Sequence, residues 1–403
     1  MTIDDKVKYA IAFALGVLNF LFISSFAQVI IVEIIFALAF VVAIFTFKNK
    51  AYGKIREFRV IFLLGFLWFA AQIASDIANR TNTTDSIKSV AQIFVLLSLI
   101  YWGHYWGNRD VTTLKSYIFG YAFSSIPQYF FLPGIFGLSD PWKFIFGPAF
   151  TLLSLLFIPR LRHSKLMTSG VLFTLVCFDF IMGARSLGMI TLVTLVLLLR
   201  KPLKQRGLIG TASYLLLISL LMLSTYAIYA NLTLNGSFGS SQQQKFEKQS
   251  QAGPLLLVAR SELLYELQAI RQTKILGLGS TPYVDQNYLE RVALIELEAG
   301  VHHPSTTAFT QYKRDGRIPS HSMILSAWME SGIFGLIFWL YLTWLVIRTI
   351  INSTGREPIF GLLLRFLTIN YLWAAIFSPL GAGSRMMIAI TITLVLQEKI
   401  RNT

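Results

Sequence analysis

Long apolar runs separated by short polar connections dominate the chain. Residues 214–230 read YLLLISLLMLSTYAIYA and contain no charged side chain. Runs of similar character lie at residues 7–25, 27–47, 59–78, 90–107, 117–133, 145–159, 166–184, 186–200, 208–230, 322–350, 359–379 and 386–398. An apolar run of about 20 residues can cross a bilayer as an α-helix, and continuous runs lack the two-residue alternation of membrane β-strands. The pattern therefore predicts an all-α polytopic membrane protein with about twelve transmembrane helices.

Composition agrees with this interpretation and removes several function classes. The 403 residues are 55% hydrophobic and 14% charged, with a mean hydropathy of +0.61, whereas soluble domains usually carry about 25% charged residues. The single cysteine, Cys177, lies within an apolar run, which excludes a disulfide framework and a cysteine-based metal site. The first apolar run lacks a small-residue cleavage site and leads directly into the second, so we expect no cleavable signal peptide.

Positive charge collects on alternate connections between the apolar runs. The net charge is +15, and no basic domain exists that could hold a nucleic-acid duplex. The basic groups are Lys48, Lys50, Lys54, Arg56 and Arg59; Arg160, Arg162 and Lys165; Arg200, Lys201, Lys204 and Arg206; Arg348 and Arg356; Lys399 and Arg401. The positive-inside rule predicts that these groups and both termini are cytoplasmic. The long segment 231–320 is then expected outside a bacterial inner membrane, in the periplasm.

Three parts follow from this topology. We expect about nine spans in residues 1–230, a large periplasmic loop in 231–320 and about three further spans in 321–403. Span boundaries are least defined in residues 117–159, where prolines permit kinks or a re-entrant segment. Those prolines are Pro127, Pro133, Pro141 and Pro148.

The large loop carries its own helical pattern. It opens with the polar stretch NGSFGSSQQQKFEKQSQ, whose composition predicts a flexible segment. Apolar residues then recur at helical spacing, at Leu256, Leu263, Leu267 and Ile270. They predict an amphipathic helix that lies on the membrane or over a cavity and ends at the glycines of GLGS. A second short helix is expected at residues 289–299.

Three basic residues that are distant in sequence are placed by this topology at one membrane face. Arg185 follows the seventh span at a tight turn, Arg260 begins the loop helix, and His321 stands where the chain re-enters the membrane. Each has a simpler interpretation. Arg185 would anchor a span end, Arg260 would pair with Glu262 or Glu266, and His321 would cap a helix.

Other charged residues were weighed for binding roles. Arg385 is a further arginine expected at the outer face, and Arg271 adds a cation to the loop helix; both are candidate substrate-binding residues. His302 and His303 are adjacent but lack a third ligand nearby, so no metal site is predicted.

Four charges within the apolar runs are expected to face the bundle interior, because a charge is costly in lipid. They are Asp76, Asp179, Glu330 and Arg365. An arginine paired with Asp179 or Glu330 would be architectural. Glu330 lies nine residues after His321, on the opposite helical face, so we assign it to packing or a polar network.

Three segments resemble the bacterial O-antigen ligase and polymerase superfamily of integral membrane glycosyltransferases. GARSLGM at Gly183 is similar to the family's span-end motif. Residues 260–279, RSELLYELQAIRQTKILGLG, resemble its arginine-led helix that ends in a G-x-G turn. HSMILSAWMESGIFGLIFW at His321 resembles its loop-exit histidine motif. The likeness covers roughly residues 165–350 and implies a GT-C-like fold.

The resemblance implies a reaction and its partners. The donor would be a glycan on undecaprenyl pyrophosphate, and the acceptor a second glycan or lipid A core, with membrane lipid and a chain-length regulator as further candidate partners. Arg185 and Arg260 would stabilise the pyrophosphate leaving group, and His321 would act as the base. The resemblance also implies inversion at the anomeric carbon, no metal ion and no cofactor.

The sequence leaves ligase and polymerase open. Ser322 follows His321 where many ligases have asparagine, and Arg185 precedes Ser186 in the reverse of a common order. The His–Ser pair and the W-M-E context favour a polymerase, whereas the outer cations Lys313, Arg314 and Arg317 would suit a ligase that binds anionic lipid A core. A polysaccharide or lipid transporter is the alternative class, and a non-catalytic scaffold a third.

Overall fold

The protein is predominantly α-helical, as the apolar pattern predicts. The computed structural model describes residues 3–23, 29–46, 55–158, 165–199, 208–254, 258, 260–272, 275–301, 316–352 and 358–402. Extended structure in this part is confined to a two-stranded hairpin of β1 (Phe22–Ile23) and β2 (Val29–Ile30) and one isolated bridge between Tyr283 and Arg317.

The helices of the first part of the chain follow the apolar runs. They are α1 (Ile3–Val17), α2 (Ile31–Thr46), α3 (Arg56–Ala78), α4 (Thr83–Arg109), α5 (Val111–Phe123), α6 (Ser125–Phe131), α7 (Gly134–Ser139), a π-helical turn (Trp142–Phe146), α8 (Gly147–Phe157), α9 (Lys165–Ile181), α10 (Arg185–Leu199) and α11 (Leu208–Leu234). The remaining helices are α12 (Ser240–Gln251), α13 (Glu262–Gln272), α14 (Gln286–Glu298), α15 (Met323–Ser331), α16 (Ile333–Asn352), α17 (Pro358–Phe377) and α18 (Ala382–Asn402).

Helix length and surface chemistry indicate a membrane protein. Within the described residues, four helical segments are long and apolar enough to cross a bilayer: Arg56–Ala78, Thr83–Asn108, Leu216–Leu234 and Ile333–Asn352. The apolar window of α11 is only 11% buried inside the protein. A surface that is both apolar and exposed needs lipid rather than water around it. The number of spans, about twelve from the sequence, stays a prediction.

Three predicted runs are interrupted. Run 7–25 is helical only to Val17, where a 3₁₀ turn leads into the hairpin. Run 117–133 breaks at Ser124, whose backbone carbonyl still accepts from Gln128 N. Run 322–350 breaks at Gly332, which has a positive φ of 70° that a residue with a Cβ rarely adopts.

Two ion pairs between helices lie at the same end of the bundle. Lys8 on α1 pairs with Asp110 at the end of α4 (2.7 Å), and Lys399 on α18 pairs with Glu57 at the start of α3. The short turn after Ala78 makes α3 and α4 antiparallel, so both pairs occupy the same end of the bundle. The loop turn at Ser280 binds Asp76 at the other end of α3. Assignment of these ends to cytoplasm and periplasm stays a prediction.

The loop contains more helix than its polar composition predicts. The stretch expected to be flexible forms α12, so that expectation is wrong. Gln, Lys and Glu are good helix formers, and Phe246 is buried against the ring of Tyr229. The second predicted helix is confirmed as α14, where the Asp285 side chain accepts a hydrogen bond from Tyr288 N.

The predicted amphipathic helix exists as α13, but its buried face is not the leucine stripe. Leu267 is exposed, whereas Glu262, Glu266 and Ile270 are buried; Leu256 lies outside the described residues. The helix packs with α14, α15 and the strand-like segment at Ile318 around a small core. Its inner face therefore carries two carboxylates toward the end of the bundle.

A glycine turn docks α13 onto the break at Gly332. Leu278 N donates to Met329 O (2.8 Å), Gly279 N to Glu330 O (3.1 Å), and Ile333 N to Ile275 O (3.0 Å). These bonds satisfy backbone groups that the break would otherwise leave unpaired. The helix was expected to end at GLGS, but α13 ends earlier, at Gln272, and the glycine turn instead fastens the loop to α15 and α16.

The four charges predicted to face the bundle interior have neutral hydrogen-bond partners. Asp76 accepts from Ser280 N (2.6 Å) and from the Ser86 hydroxyl (2.6 Å). The interpretation of Asp179 and Glu330 as arginine partners is corrected: Asp179 accepts from the Trp142 indole (2.8 Å) and Glu330 from Thr281 N (3.3 Å). The assignment of Glu330 to a polar network is confirmed. Arg365, also in a helix, donates to Leu197 O (3.3 Å).

Candidate functional site

Arg185 is the first residue of α10 and follows the turn of residues 182–184. Gly183 has a φ of +74°, and a Cβ there would overlap the Gln242 side chain. Ala184 N donates to Asp179 O (2.7 Å), which closes the turn. The GARS motif thus forms a tight chain reversal and places Arg185 at the end of the bundle.

The guanidinium of Arg185 is held by neutral groups. One nitrogen donates to Gln249 Oε1 on α12 (3.1 Å). The guanidinium carbon lies 5.8 Å from the centre of the Tyr229 ring and 6.0 Å from that of Phe246. Aromatic faces stabilise a cation without neutralising it, so the positive charge stays available to an anion.

Arg260 occupies the turn that begins α13. Its carbonyl accepts from Leu263 N (3.1 Å), and its guanidinium carbon lies 6.0 Å from the Phe377 ring centre at the end of α17. Burial lowers the pKa of Arg260, the charge of Glu262 raises it, and the charge of Arg185 lowers it. The two arginines, 75 positions apart by their numbers, are therefore close enough to act on each other.

Lys143 is a third cation in the same region. It lies within electrostatic range of both Arg185 and Arg260. We call Lys143, Arg185 and Arg260 the cationic cluster. Like charges repel unless an anion neutralises them. The cluster is therefore suited to bind a group of more than one negative charge. The sequence assigns Lys143 no role, because the π-helical turn that brings it here has no clear sequence signal.

His321 lies just before α15, at the loop exit. Its Nδ1 is 2.7 Å from the Ser320 carbonyl oxygen, so Nδ1 carries the hydrogen and Nε2 is left with a lone pair in the neutral ring. Nε2 is 3.7 Å from Glu262 Oε1, and the side chain is 29% exposed. The ring is thus oriented and still accessible. The cap expected here belongs to Ser322, whose hydroxyl accepts from Leu325 N (3.2 Å).

Glu266 fixes the backbone that carries His321. Its Oε1 accepts from His321 N (2.9 Å), Ser322 N (3.2 Å) and the Ser326 hydroxyl (2.6 Å). Burial raises the pKa of Glu266 to about 7, although these hydrogen bonds lower it. Sequence reasoning considered Glu262 and Glu266 only as partners of Arg260. Their spacing, one helical turn apart on the side of Ile270, was the available signal for a shared buried face.

A third buried carboxylate, Glu296 on α14, lies beside this pair. It is 1% exposed. Burial raises the pKa of Glu296 to about 7, and the charge of Glu262 also raises it. Near neutral pH this part of the loop therefore stores unfavourable negative charge.

We expect Glu296→Gln to stabilise the protein at pH 8 and to leave its stability near pH 4.5 unchanged. The native pKa of about 7 exceeds the ordinary value of 4.5, so the folded state binds more protons between these pH values, and stability falls as the pH rises through the window. At pH 8 the free energy of unfolding should rise by at most about 3 kcal/mol in Glu296→Gln. Melting temperatures in detergent from pH 4.5 to 8 measure it. The exposed neighbour change Glu298→Gln is the control, and equal pH slopes for both variants would contradict the expectation.

A cavity of about 300 Å³ has in its wall residues that are sequence neighbours of the cationic cluster. Its wall includes Phe144 beside Lys143, Leu187 near Arg185, and Ser378 next to Phe377. It runs between α5, α6, α8, α17 and α18. Most of its hydroxyl groups already donate to nearby backbone carbonyls; these are Ser124, Ser125, Ser384 and Thr391. The wall is therefore suited to an apolar chain or to a ligand that donates hydrogen bonds.

The other predicted binding arginines lie elsewhere. Arg385 is 0% exposed and makes a bidentate pair with Glu33 (2.9 and 2.8 Å), so the expectation that it binds substrate is replaced by a structural role. Arg271 is exposed on the last turn of α13. Arg317 donates to Asp85 (2.7 Å). The outer-face cations Lys313 and Arg314 and the histidine pair His302 and His303 lie outside the described residues.

We expect Arg385→Met alone to lower the free energy of unfolding by about 3–5 kcal/mol, because it leaves the buried Glu33 carboxylate without its counter-charge. The double variant Glu33→Leu/Arg385→Met is expected to recover most of this loss, since an apolar pair of similar size needs no counter-charge. Melting temperatures of the three proteins in detergent give the comparison. A double variant as unstable as the single would contradict the ion-pair account.

No family model, no curated protein and no solved structure matches the chain. The family resemblance therefore depends on the three motifs at Gly183, Arg260 and His321. Those motifs contain the residues that meet at one end of the bundle.

Proposed function

We propose that the protein is a membrane glycosyltransferase that moves a glycan from undecaprenyl pyrophosphate to an acceptor at the periplasmic membrane face. The reaction belongs to the assembly of O-antigen or a related surface polysaccharide, and polymerisation is favoured over ligation to lipid A core. One observation carries the proposal. Arg185, Arg260 and His321 are distant in sequence, yet Arg185 and Arg260 act on each other's charge, and Glu262 lies between Arg260 and His321.

The cationic cluster supports a pyrophosphate leaving group. Guanidinium groups bind phosphate oxygens bidentately and stay charged at every biological pH. Negative charge on the pyrophosphate grows as the sugar–phosphate bond breaks. Fixed cations in a partly dry site stabilise that charge by several kcal/mol relative to the ground state, of order 3–4 kcal/mol for a single strong donor.

His321 supports the acceptor half of the reaction. Its Nε2 accepts the proton of the acceptor hydroxyl while the oxygen attacks the anomeric carbon. The new glycosidic C–O bond forms with inversion, the bond between the anomeric carbon and the phosphate oxygen breaks, and undecaprenyl pyrophosphate leaves with the electron pair. The Ser320 carbonyl holds the ring in the tautomer that this step needs.

The cavity beside the cluster supports a lipid-linked substrate. A polyprenyl donor brings its pyrophosphate to the membrane surface and keeps an apolar tail below it. Phe144 and Leu187 in its wall lie one and two positions from Lys143 and Arg185, and Ser378 follows Phe377, whose ring faces Arg260. A tail in this cavity would place the phosphates at the cationic cluster without removing the lipid from the membrane.

The direct test supplies lipid-pyrophosphate-linked repeat units to the purified protein in lipid vesicles and follows chain extension on gels. The wild type is expected to extend chains, and His321→Ala to reduce the rate by about 100-fold or more through loss of general base catalysis. His302→Ala, which changes a loop histidine of no assigned role, is the control. Movement of the glycan across the bilayer without a new glycosidic bond would instead favour the transporter.

Deletion of the gene distinguishes the two acceptors. Single repeats on the surface without a ladder of longer chains mean that the protein is the polymerase. Full-length lipid-linked polymer that never joins lipid A core means that it is the ligase. A normal surface polysaccharide would contradict both.

A further inference from the structure

We propose that Glu262 is the positioning residue for His321: its carboxylate stabilises the imidazolium formed when Nε2 takes the acceptor proton. The inference deepens the proposed function and rests on it. It assigns a role to a buried carboxylate that the pyrophosphate chemistry leaves unused.

The ring of His321 is held on one side and faces a carboxylate on the other. Nδ1 meets the Ser320 carbonyl at 2.7 Å, and Nε2 faces Glu262 Oε1 at 3.7 Å. The Glu262 side chain is far less exposed than the histidine, so water screens the carboxylate only weakly. A separation of 3.7 Å is too long for a hydrogen bond. It still allows a strong attraction once the ring is charged.

The second glutamate of α13 does a different task. Glu266 binds the backbone nitrogens of His321 and Ser322 and the hydroxyl of Ser326. Glu266 therefore fixes the position of the loop exit. Glu262, one turn earlier on the same face, sets the electrostatic environment of the His321 ring. This division explains why two carboxylates are buried on a helix whose apolar pattern predicted leucines there.

Glu262 also has a free acceptor. Its Oε2 is buried and has no hydrogen-bond partner among the described residues. A carboxylate held in this way is costly, and the cost is offset when a cation forms beside it. Arg260 supplies part of that positive charge permanently, and protonated His321 supplies the rest during each transfer.

The proton balance is simple. The acceptor hydroxyl loses its proton to His321 Nε2, and the ring becomes an imidazolium next to Glu262. The acceptor oxygen forms the bond to the anomeric carbon, and pyrophosphate leaves with the electrons of the broken bond. The imidazolium then releases its proton to water, which returns the neutral ring for the next turnover.

Several charges besides Glu262 face the His321 region. Glu266 on α13 bonds to its backbone, Glu296 on α14 acts on Glu262, and Arg260 at the start of α13 acts on Glu262 from the other side. The test therefore changes Glu262 alone and keeps its shape. Glu262→Gln removes the charge, and Glu262→Asp keeps the charge on a shorter stem.

In the vesicle assay, Glu262→Gln is expected to lower kcat by about 10- to 100-fold, as loss of base assistance does, with the donor KM changed by less than about 2-fold. Glu262→Asp is expected to recover part of kcat. The acidic limb of the kcat–pH profile should move to lower pH in Glu262→Gln. Glu298→Gln, an exposed change on α14, is the matched control. A Glu262→Gln variant with the kcat and the pH profile of the wild type would overturn the inference.

A second readout does not depend on transfer. NMR signals of the isotope-labelled His321 imidazole report its protonation in the intact protein in detergent. Half protonation is expected at lower pH in Glu262→Gln than in the wild type, and at the wild-type pH in Glu298→Gln. If the wild type transfers no glycan but this shift is present, the proposed function fails and the Glu262–His321 coupling stands; if transfer is normal and the shift is absent, only the coupling fails.

Discussion

Arg260→Ala is expected to lower the rate of glycan transfer by about 100- to 1,000-fold, the usual effect of removing a preorganised charge donor. The guanidinium lies with Arg185 and Lys143 in the cationic cluster, and its loss leaves the leaving pyrophosphate with less positive charge as the bond breaks. The measurement is the rate of chain extension with saturating donor. Arg260→Lys keeps the charge without the bidentate geometry, so its transfer rate should lie between those of the wild type and Arg260→Ala.

Arg291→Ala is the matched control, because Arg291 is an exposed arginine on α14. It should leave the rate within about 2-fold of the wild type, as expected for a surface charge outside the site. Melting temperatures of all variants separate lost chemistry from lost folding. An Arg260→Ala protein that is folded and transfers at the wild-type rate would remove Arg260 from the site.

Gly332→Ala is expected to destabilise the protein by about 3 kcal/mol or more, from backbone strain together with steric overlap. Gly332 has a φ of +70°, and an added Cβ would overlap the carbonyl oxygen of Ile275. Relief of that overlap requires the docked turn at residues 277–279 to move away from α15. The melting temperature in detergent should fall, and proteolysis should reach the segment around Gly277 earlier than in the wild type.

Gly361→Ala gives the reference for this experiment. Gly361 lies in α17, and a Cβ there meets nothing within 4 Å. Alanine inside a helix is more stabilising than glycine by about 0.5–1 kcal/mol, so the reference variant should be as stable as the wild type or more so. Equal melting temperatures for the two variants would contradict the strained conformation at Gly332.

Hydropathy was sufficient for most helices, because lipid demands long apolar segments with internal backbone hydrogen bonds. Glycines also marked the tight turn before Arg185 and the turn at GLGS, since they occupy positions of unusual φ. These local signals placed Arg185, Arg260 and His321 at chain reversals. The structure adds that they lie at one end of one bundle.

Features that depend on long-range contacts could not be predicted from the sequence. The exposure of Leu267 and the burial of Glu266 follow from what α13 packs against, and helical periodicity alone cannot choose between two faces. Arg385 looked like a binding residue because its partner Glu33 is 352 positions away. The polar stretch at α12 looked flexible because a single buried aromatic residue, Phe246, anchors it.

The Glu33–Arg385 pair has a consequence for how the protein is made. The acidic partner emerges from the ribosome with α2, and the basic partner arrives only with α18, 352 residues later. At about 5–20 residues per second, translation takes roughly 18–70 s to cover that distance. During this time Glu33 must stay protonated, face water or be shielded by the insertion machinery. The α2 helix can therefore close against α18 only after α18 has been synthesised and inserted, so an early helix completes its packing late.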